Sequence, residues 1–340
     1  EGLVGSEMCI RDRIGMYPQI NKKSGWQGCN LTEINGGKCN TEEDFYKACR
    51  AASILGTLQA GYTDFKFLTD TSKLIFDREA LLGVSITGWM NNPDILFDEN
   101  ILEKGAKIVK EVNREVAQII GINAADRTTC VKPICNAYVL LQTASGIHAE
   151  HSNMYIRNVQ MNKESEITQA IMKTNPYMVE DSVWSAGGTD VVVSFPILPK
   201  KGSMYKDDLL GVKHLELVKK AQKHWVEAGT NEDLCADKGV RHNVSNTIIV
   251  DDWDEVEKYV FENRHSFAGI SFLAMSGDKD YNQAPNTAVI TAKDMVKKYG
   301  NAAVFASGMV VDALKCFNNL WDACSTCLLY TSDLPTSYAV

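Results

Sequence analysis

The apolar positions of TEEDFYKACRAASILGTLQAGY recur at helical spacing. Phe45, Ala48, Ala52, Leu55 and Leu58 fall on one face, and Thr41 with Asp44 has the spacing of a capping box. DENILEKGAKIVKEVNREVAQIIG repeats the pattern through Ile101, Ile108, Val112, Val116 and Ile119, between a cap at Asp98 and a terminating Gly121. Between these two helices, LLGVSITGW is apolar and β-branched with glycine towards both ends, which predicts a buried strand. Downstream, strand and helix patterns alternate. TTCVKP reads as a short strand ending at a proline, and NAYVLLQTA as the start of a helix. Residues 155–160 and 190–195 are strand-like, and 207–228 carries a long helical pattern. VSNTIIV, DDWDEVEKYVFENR and FAGISFLA form a strand–helix–strand unit, with 291–311 helical again. Such alternation predicts an α/β fold with much parallel pairing. No internal repeat, low-complexity tract or Pro/Gly/Ser-rich linker divides the chain, so one compact unit is expected.

The ends depart from this order. EGLVGSEMCIRDR and TCLLYTSDLPTSYAV have no periodicity and join well-patterned sequence abruptly, in the manner of translated sequencing-adapter read-through. Residues 1–13 and 327–340 are therefore expected to be non-native, leaving 14–324 as the domain.

Composition narrows the function. A formal charge of −8 argues against a general nucleic-acid binder, which needs a basic face. No run of 18 apolar residues offers a membrane span, and no apolar leader segment is visible. The ten cysteines are scattered, which suits reduced thiols in the cytoplasm rather than a disulfide scaffold.

Candidate chemistry begins at GWQGCNLTEINGGKC, where Cys29 is either a buried small hydrophobe or a reactive thiol; its surroundings in sequence decide neither. Cys39 and Cys49 follow at intervals that match neither a zinc site nor a thioredoxin-like pair. In GIHAEHS, His148 and His151 would share a helix face, but the spacing misses the known zinc motifs and no third ligand is identifiable. A polar turn is the favoured reading, and no metal is expected. Cys324 and Cys327 have redox-pair spacing but straddle the abrupt C-terminal junction. VKPICNAYVLL runs from strand into helix, a geometry that aims backbone N–H groups at a phosphate, or is an ordinary turn.

Six ordered segments together carry a resemblance: GCNLTEINGGKC, GTLQAGYTDF, GVSITGW, Cys130 to Ser152, YIRNVQM and FAGISFL. In this order they resemble the catalytic subunit of ribonucleotide reductase, and most of all its adenosylcobalamin-dependent, class II ribonucleoside-triphosphate form, from about Ile14 to Cys324. The resemblance implies the second half of a ten-stranded α/β barrel. It also implies a thiyl radical generated with adenosylcobalamin, a ribonucleoside triphosphate substrate, a thioredoxin-type or dithiol reductant, and nucleotide effectors on the full-length parent. Cys29-Asn30-Leu31 matches the family's redox cysteine, one half of a dithiol. The substrate phosphates are implied at Pro133, Ile134, Cys135, Asn136 and Ala137. The thiyl cysteine is expected near positions 9–13, where Cys9-Ile10-Arg11 lacks the family's following glutamate, so Cys9 is not assigned. The family's Lys-Pro-Ser-Gly-Asn-x-Ser is here Lys132-Pro133-Ile134-Cys135-Asn136-Ala137-Tyr138, which removes hydroxyl donors and a glycine and is expected to weaken phosphate binding. The chain alone is accordingly expected to be inactive. The alternatives are a non-catalytic nucleotide-binding remnant, or a glycyl-radical enzyme of similar fold, although no glycyl segment is visible.

Overall fold

A computed structural model describes residues 18–132, 137–275 and 283–289. They fall into two compact units, one holding 18–150 and 200–275, the other 151–199 and 283–289. The elements in chain order are β1 (Gln19–Ile20), β2 (Lys23–Ser24), β3 (Asn30–Asn35), α1 (Glu42–Ala60), α2 (Asp70–Glu79), β4 (Leu82–Thr87), α3 (Pro93–Leu96), α4 (Glu99–Ile120) and α5 (Ala137–Leu141). There follow β5 (Tyr155–Asn162), α6 (Glu166–Thr174), β6 (Val179–Asp181), β7 (Asp190–Ile197), α7 (Gly211–Ala221), β8 (Thr247–Val250), α8 (Trp253–Glu262), β9 (Ser271–Ala274) and β10 (Asn286–Ala288).

The first unit is built on parallel pairing. β3 and β4 run in parallel register from Asn30↔Leu82 to Asn35↔Thr87. The expected TTCVKP strand is present as two parallel bridges, Val84↔Thr129 and Val131↔Val244. Backbone hydrogen bonds flank them, from Val84 N to Thr128 O, Cys130 N to Val84 O and Ser245 N to Val131 O. β8 and β9 continue the array in parallel from Thr247↔Ser271 to Val250↔Ala274. Five segments of this unit, taken in chain order, thus lie side by side in one direction. Parallel neighbours require crossovers, and the helices supply them.

Alternation along each strand then separates two chemistries. Ile34, Val84, Ile86, Val131, Val244, Ile248 and Val250 form one buried core with residues of α1, α4 and α7. The residues between them, Glu33, Ser85, Cys130 and Lys132, are polar or thiol-bearing and belong to the other face.

Both long helices start and stop where the sequence predicts. Thr41 and Asp44 make the reciprocal capping box at 3.1 and 3.0 Å, Asp98 accepts from Ile101 N at 3.0 Å, and Gly121 takes φ +75. Their inward faces are rotated from the expected ones. Leu55, Leu58 and Ile119 are exposed, at 52, 45 and 81%. The buried stripes are Phe45, Cys49, Ala52, Ser53, Gly56 and Thr57 on α1, and Leu102, Gly105, Ala106, Val109 and Asn113 on α4. The cause is a close helix–helix approach through small residues; a Cβ on Gly105 would lie 2.5 Å from the Phe45 ring. Polar groups there are satisfied across the interface, Ser53 Oγ donating to Val109 O at 2.8 Å and Asn113 Nδ2 to Thr57 Oγ1 at 2.9 Å.

The 207–228 pattern is helical from Gly211, four residues later than expected, and runs on without a gap to Glu227. It contains α7 and a π-helical turn, Gln222–Glu227, that turns Gln222, His224 and Trp225 inward.

The second unit is a four-stranded antiparallel sheet, β10–β5–β7–β6. β5 and β7 pair from Tyr155↔Ile197 to Asn162↔Asp190 over a small core of Ile156, Met178, Val191, Val193 and Val289. This second core gives 151–199 contacts of its own, where the sequence pattern predicts one unit.

At the base of the parallel array Asp126 and Arg127 pair at 3.1 Å, both side chains almost fully buried. Arg127 also donates to Val240 O and Asp237 O, each at 2.8 Å, which ties the 237–240 loop to the array. Burial first, then the Glu79 charge, pushes the Asp126 carboxyl up to about 7, with Arg127 opposing. A raised carboxyl favours the protonated folded state, so its stabilisation is complete at low pH. It is lost as pH rises from the ordinary carboxylate range through about 7. Asp126→Asn is therefore expected to raise Tm at pH 8 by about 3–6 °C and to change it little near pH 4, read by thermal circular dichroism. An equal shift at both pH values would contradict the assignment.

Candidate active site

Glycines bring the chain to Cys29. A Cβ on Gly28 would lie 2.7 Å from the Phe76 ring and one on Gly25 2.9 Å from Ile75 Cδ1, so the segment lies directly on α2. Asn30 then anchors the start of β3, its backbone N–H and its side-chain Nδ2 both donating to Leu81 O, at 2.9 and 3.1 Å. Cys29 is left half-buried at the head of the strand. Beside it, Gly83 of β4 is required by close approach. A Cβ there would lie 2.8 Å from Cys29 Sγ, 3.0 Å from Cys130 Sγ and 2.4 Å from Leu31 Cδ2.

Further along the same face a carboxylate and an ammonium are fixed. Glu33 Oε2 lies 2.9 Å from Lys132 Nζ, with both side chains largely buried. Ser85 Oγ donates to Glu33 Oε1 at 3.2 Å and accepts from Lys132 N at 3.0 Å. Three adjacent segments thus contribute to one network, which holds Lys132 at the point where the chain enters 133–136.

Other thiols and imidazoles are committed elsewhere. Burial, then Asp44, pushes Cys39 up to about 11 against the opposing Lys200; burial, then Cys39, raises Cys49 well above the usual thiol range. Burial also raises Cys235. His148 has both ring nitrogens on backbone: Nε2 accepts from Thr247 N at 3.0 Å, so Nδ1 carries the proton it donates to Ser145 O at 3.0 Å. Burial lowers His148. Burial, then the neighbouring His148, takes His214 to about 3, and burial takes His242 to about 4, so all three are neutral at pH 7. The His151 ring packs against Tyr155 at a tilt of 58°, with ring centroids 5.5 Å apart. Among the described residues no group of three or more His, Cys, Asp or Glu has metal-site geometry.

Of the residues singled out in the sequence, Cys29 stands on the polar face and Ala137 opens α5. Pro133, Ile134, Cys135 and Asn136 lie outside the described residues, as do Cys9, Cys324 and Cys327. Sequence reading missed Glu33, Ser85, Cys130 and Lys132. No local pattern marks them: Leu31 lies on the same face as Cys29 and Glu33, and only the register of the three segments brings these side chains together.

No family model matches the chain. A Dictyostelium discoideum protein named as a probable adenosylcobalamin-dependent ribonucleoside-triphosphate reductase is 25% identical over 234 residues, 66% of this chain and 30% of that protein. The adenosylcobalamin-dependent ribonucleoside-triphosphate reductase of Euglena gracilis is 23% identical over 271 residues, 77% of this chain and 34% of its own length. In fold, a crystal structure of a B-12 dependent, class II ribonucleotide reductase matches with a TM-score of 0.65 at 15% identity, covering 86% of this chain and 42% of that one. The chain spans about a third of the length of these curated relatives.

Proposed function

We propose that this chain, a relative of adenosylcobalamin-dependent ribonucleoside-triphosphate reductases over about a third of their length, is the portion of such an enzyme that carries one redox thiol and the nucleotide-facing side of half the barrel. In this reading the five parallel segments are half of a ten-stranded barrel, and their polar face looks into it. The observation that carries the reading is Cys29, half-buried at the head of that face, beside Gly83 and on the same side of the array as the Glu33–Lys132 pair.

Cys29 would supply one of two thiols that reduce a ribonucleotide. The ribose 2′ C–OH becomes C–H, water leaves, and two thiols give up two protons and two electrons to become a disulfide. An external dithiol, of thioredoxin type or a small molecule, restores them by exchange. The substrate triphosphate would lie on the turn of Pro133, Ile134, Cys135, Asn136 and Ala137, beyond the Lys132 ammonium. Nucleotide effectors would act on the whole enzyme, in a compartment that keeps thiols reduced.

Adenosylcobalamin, named for both curated relatives, would be held by the whole enzyme and would supply the radical that starts the reaction. The chemistry assigned to this chain is accordingly that of its thiols and its charged pair.

The test is a chimera in which the preceding part of the Euglena gracilis reductase is joined ahead of Gln19. With adenosylcobalamin, dithiothreitol and a ribonucleoside triphosphate it is expected to form deoxyribonucleotide; a folded chimera that makes none contradicts the reading. In the same protein, Ile134→Ser with Cys135→Gly is expected to lower KM for the nucleotide about tenfold, by restoring a hydroxyl donor and a close backbone approach. An unchanged KM would remove the phosphate role from this turn.

A further inference from the structure

We propose that Cys130 is the resolving thiol of Cys29: the two form a reversible disulfide across Gly83, within this chain. The likeness to known reductases assigns nothing to Cys130, and the inference stands on geometry whether or not the chain takes a nucleotide. Cys29 enters from the head of β3 and Cys130 from the bridge segment on the far side of β4, so a whole strand separates their backbones. A side chain on the intervening residue would keep the sulfurs apart. That residue is Gly83, and both sulfurs lean into the space its missing Cβ leaves, 2.8 and 3.0 Å from that point. With Leu31 Cδ2 also there, at 2.4 Å, any larger residue at 83 would displace both thiols.

The two thiols differ in access. Cys29 is half-buried, whereas Cys130 is fully buried. An external disulfide therefore meets Cys29 first. Cys29 as thiolate attacks one sulfur of a low-molecular-weight disulfide, forming a mixed disulfide and expelling one thiol. Cys130, deprotonated, then attacks Cys29 Sγ and expels the second. The chain loses two protons and two electrons, and the external disulfide gains them as two thiols. Sulfur–sulfur bonding needs Cβ atoms about 3.5–4.5 Å apart, so closure draws the head of β3 towards the bridge segment. Cys130 is held by its backbone bond to Val84 and by Trp225 Nε1 donating to Cys130 O at 3.1 Å, so the shift falls on Cys29, between the Gly28 contact with Phe76 and the Asn30 anchor. The oxidised form would withdraw Cys29 from any other chemistry until a dithiol reopens it.

The experiment is oxidation of the 340-residue chain with glutathione disulfide, quenching by alkylation, and mapping of tryptic peptides by mass spectrometry. Cys29 lies in the peptide spanning 24–38. Cys130 shares the peptide 128–157 with Cys135, so fragment-ion sequencing must separate those two. The expected product is a Cys29–Cys130 link reversed by dithiothreitol, with little glutathione retained. Cys130→Ser is expected to accumulate glutathione on Cys29 instead, raising the mixed disulfide at least fivefold. Should that variant not fold, the wild-type map decides alone. A stable mixed disulfide on Cys29, a link from Cys29 to Cys135 or any other cysteine, or an inert Cys29 would each overturn the proposal.

Discussion

Cys29→Ser in the chimeric reductase is expected to lower deoxyribonucleotide formation by roughly 10³-fold or more, without raising KM for the nucleotide. Serine preserves the size of the side chain and the anchoring of Asn30 to Leu81 O, so β3 still starts where it does. What it removes is the sulfur: a hydroxyl cannot give up an electron and a proton to form a disulfide, and the reductive step has no donor on this strand. Cys235→Ser is the matched control. Cys235 is also half-buried, but its thiol donates to Asn231 O at 3.3 Å, away from the polar face, and its loss is expected to leave turnover within twofold. The measurement is product formation by chromatography, with dithiothreitol as reductant. Equal losses in both variants would mean that the thiols matter through folding rather than redox chemistry.

Trp225→Ala is expected to cost about 3–5 kcal/mol of stability, read as a lower urea midpoint. The indole is fully buried in the π-helical turn, with its ring centroid 5.8 Å from that of Phe45 on α1. Its Nε1 donates to Cys130 O at 3.1 Å, so one side chain joins the helical layer to the bridge segment of the array. Alanine would leave a cavity between these layers and remove this hydrogen bond. Trp225→Phe separates the contributions: it keeps most of the volume and loses the hydrogen bond, for an expected cost nearer 1 kcal/mol. Equal midpoints for Ala and Phe would show that packing contributes little here.

Much of this fold was legible because its signals are short-range. The capping box at Thr41 and Asp44, the Asp98 cap and the Gly121 stop depend on residues a few positions apart, and all are present. The inward faces of α1 and α4 were not legible from hydrophobicity, because Ser53, Thr57 and Asn113 are buried and satisfied while Leu55, Leu58 and Ile119 face outward. Parallel pairing was legible from the alternation of strands with helices and is present in β3–β4 and β8–β9. The antiparallel unit was not, because β10 joins β5 from far downstream in the chain. Cys29 was undecided by local chemistry and was singled out by resemblance. Its neighbours Glu33, Ser85, Cys130 and Lys132 became visible only when register brought three distant segments together.

The alkylation rate of Cys29 in the 340-residue chain, with and without millimolar ribonucleoside triphosphate, decides whether this face binds nucleotide. If the polar face of the parallel array is a nucleotide site with Cys29 at its ribose end, bound nucleotide slows iodoacetamide labelling of Cys29 at least fivefold and leaves Cys235 unchanged. Labelling of Cys29 at the same rate with and without nucleotide would contradict the account.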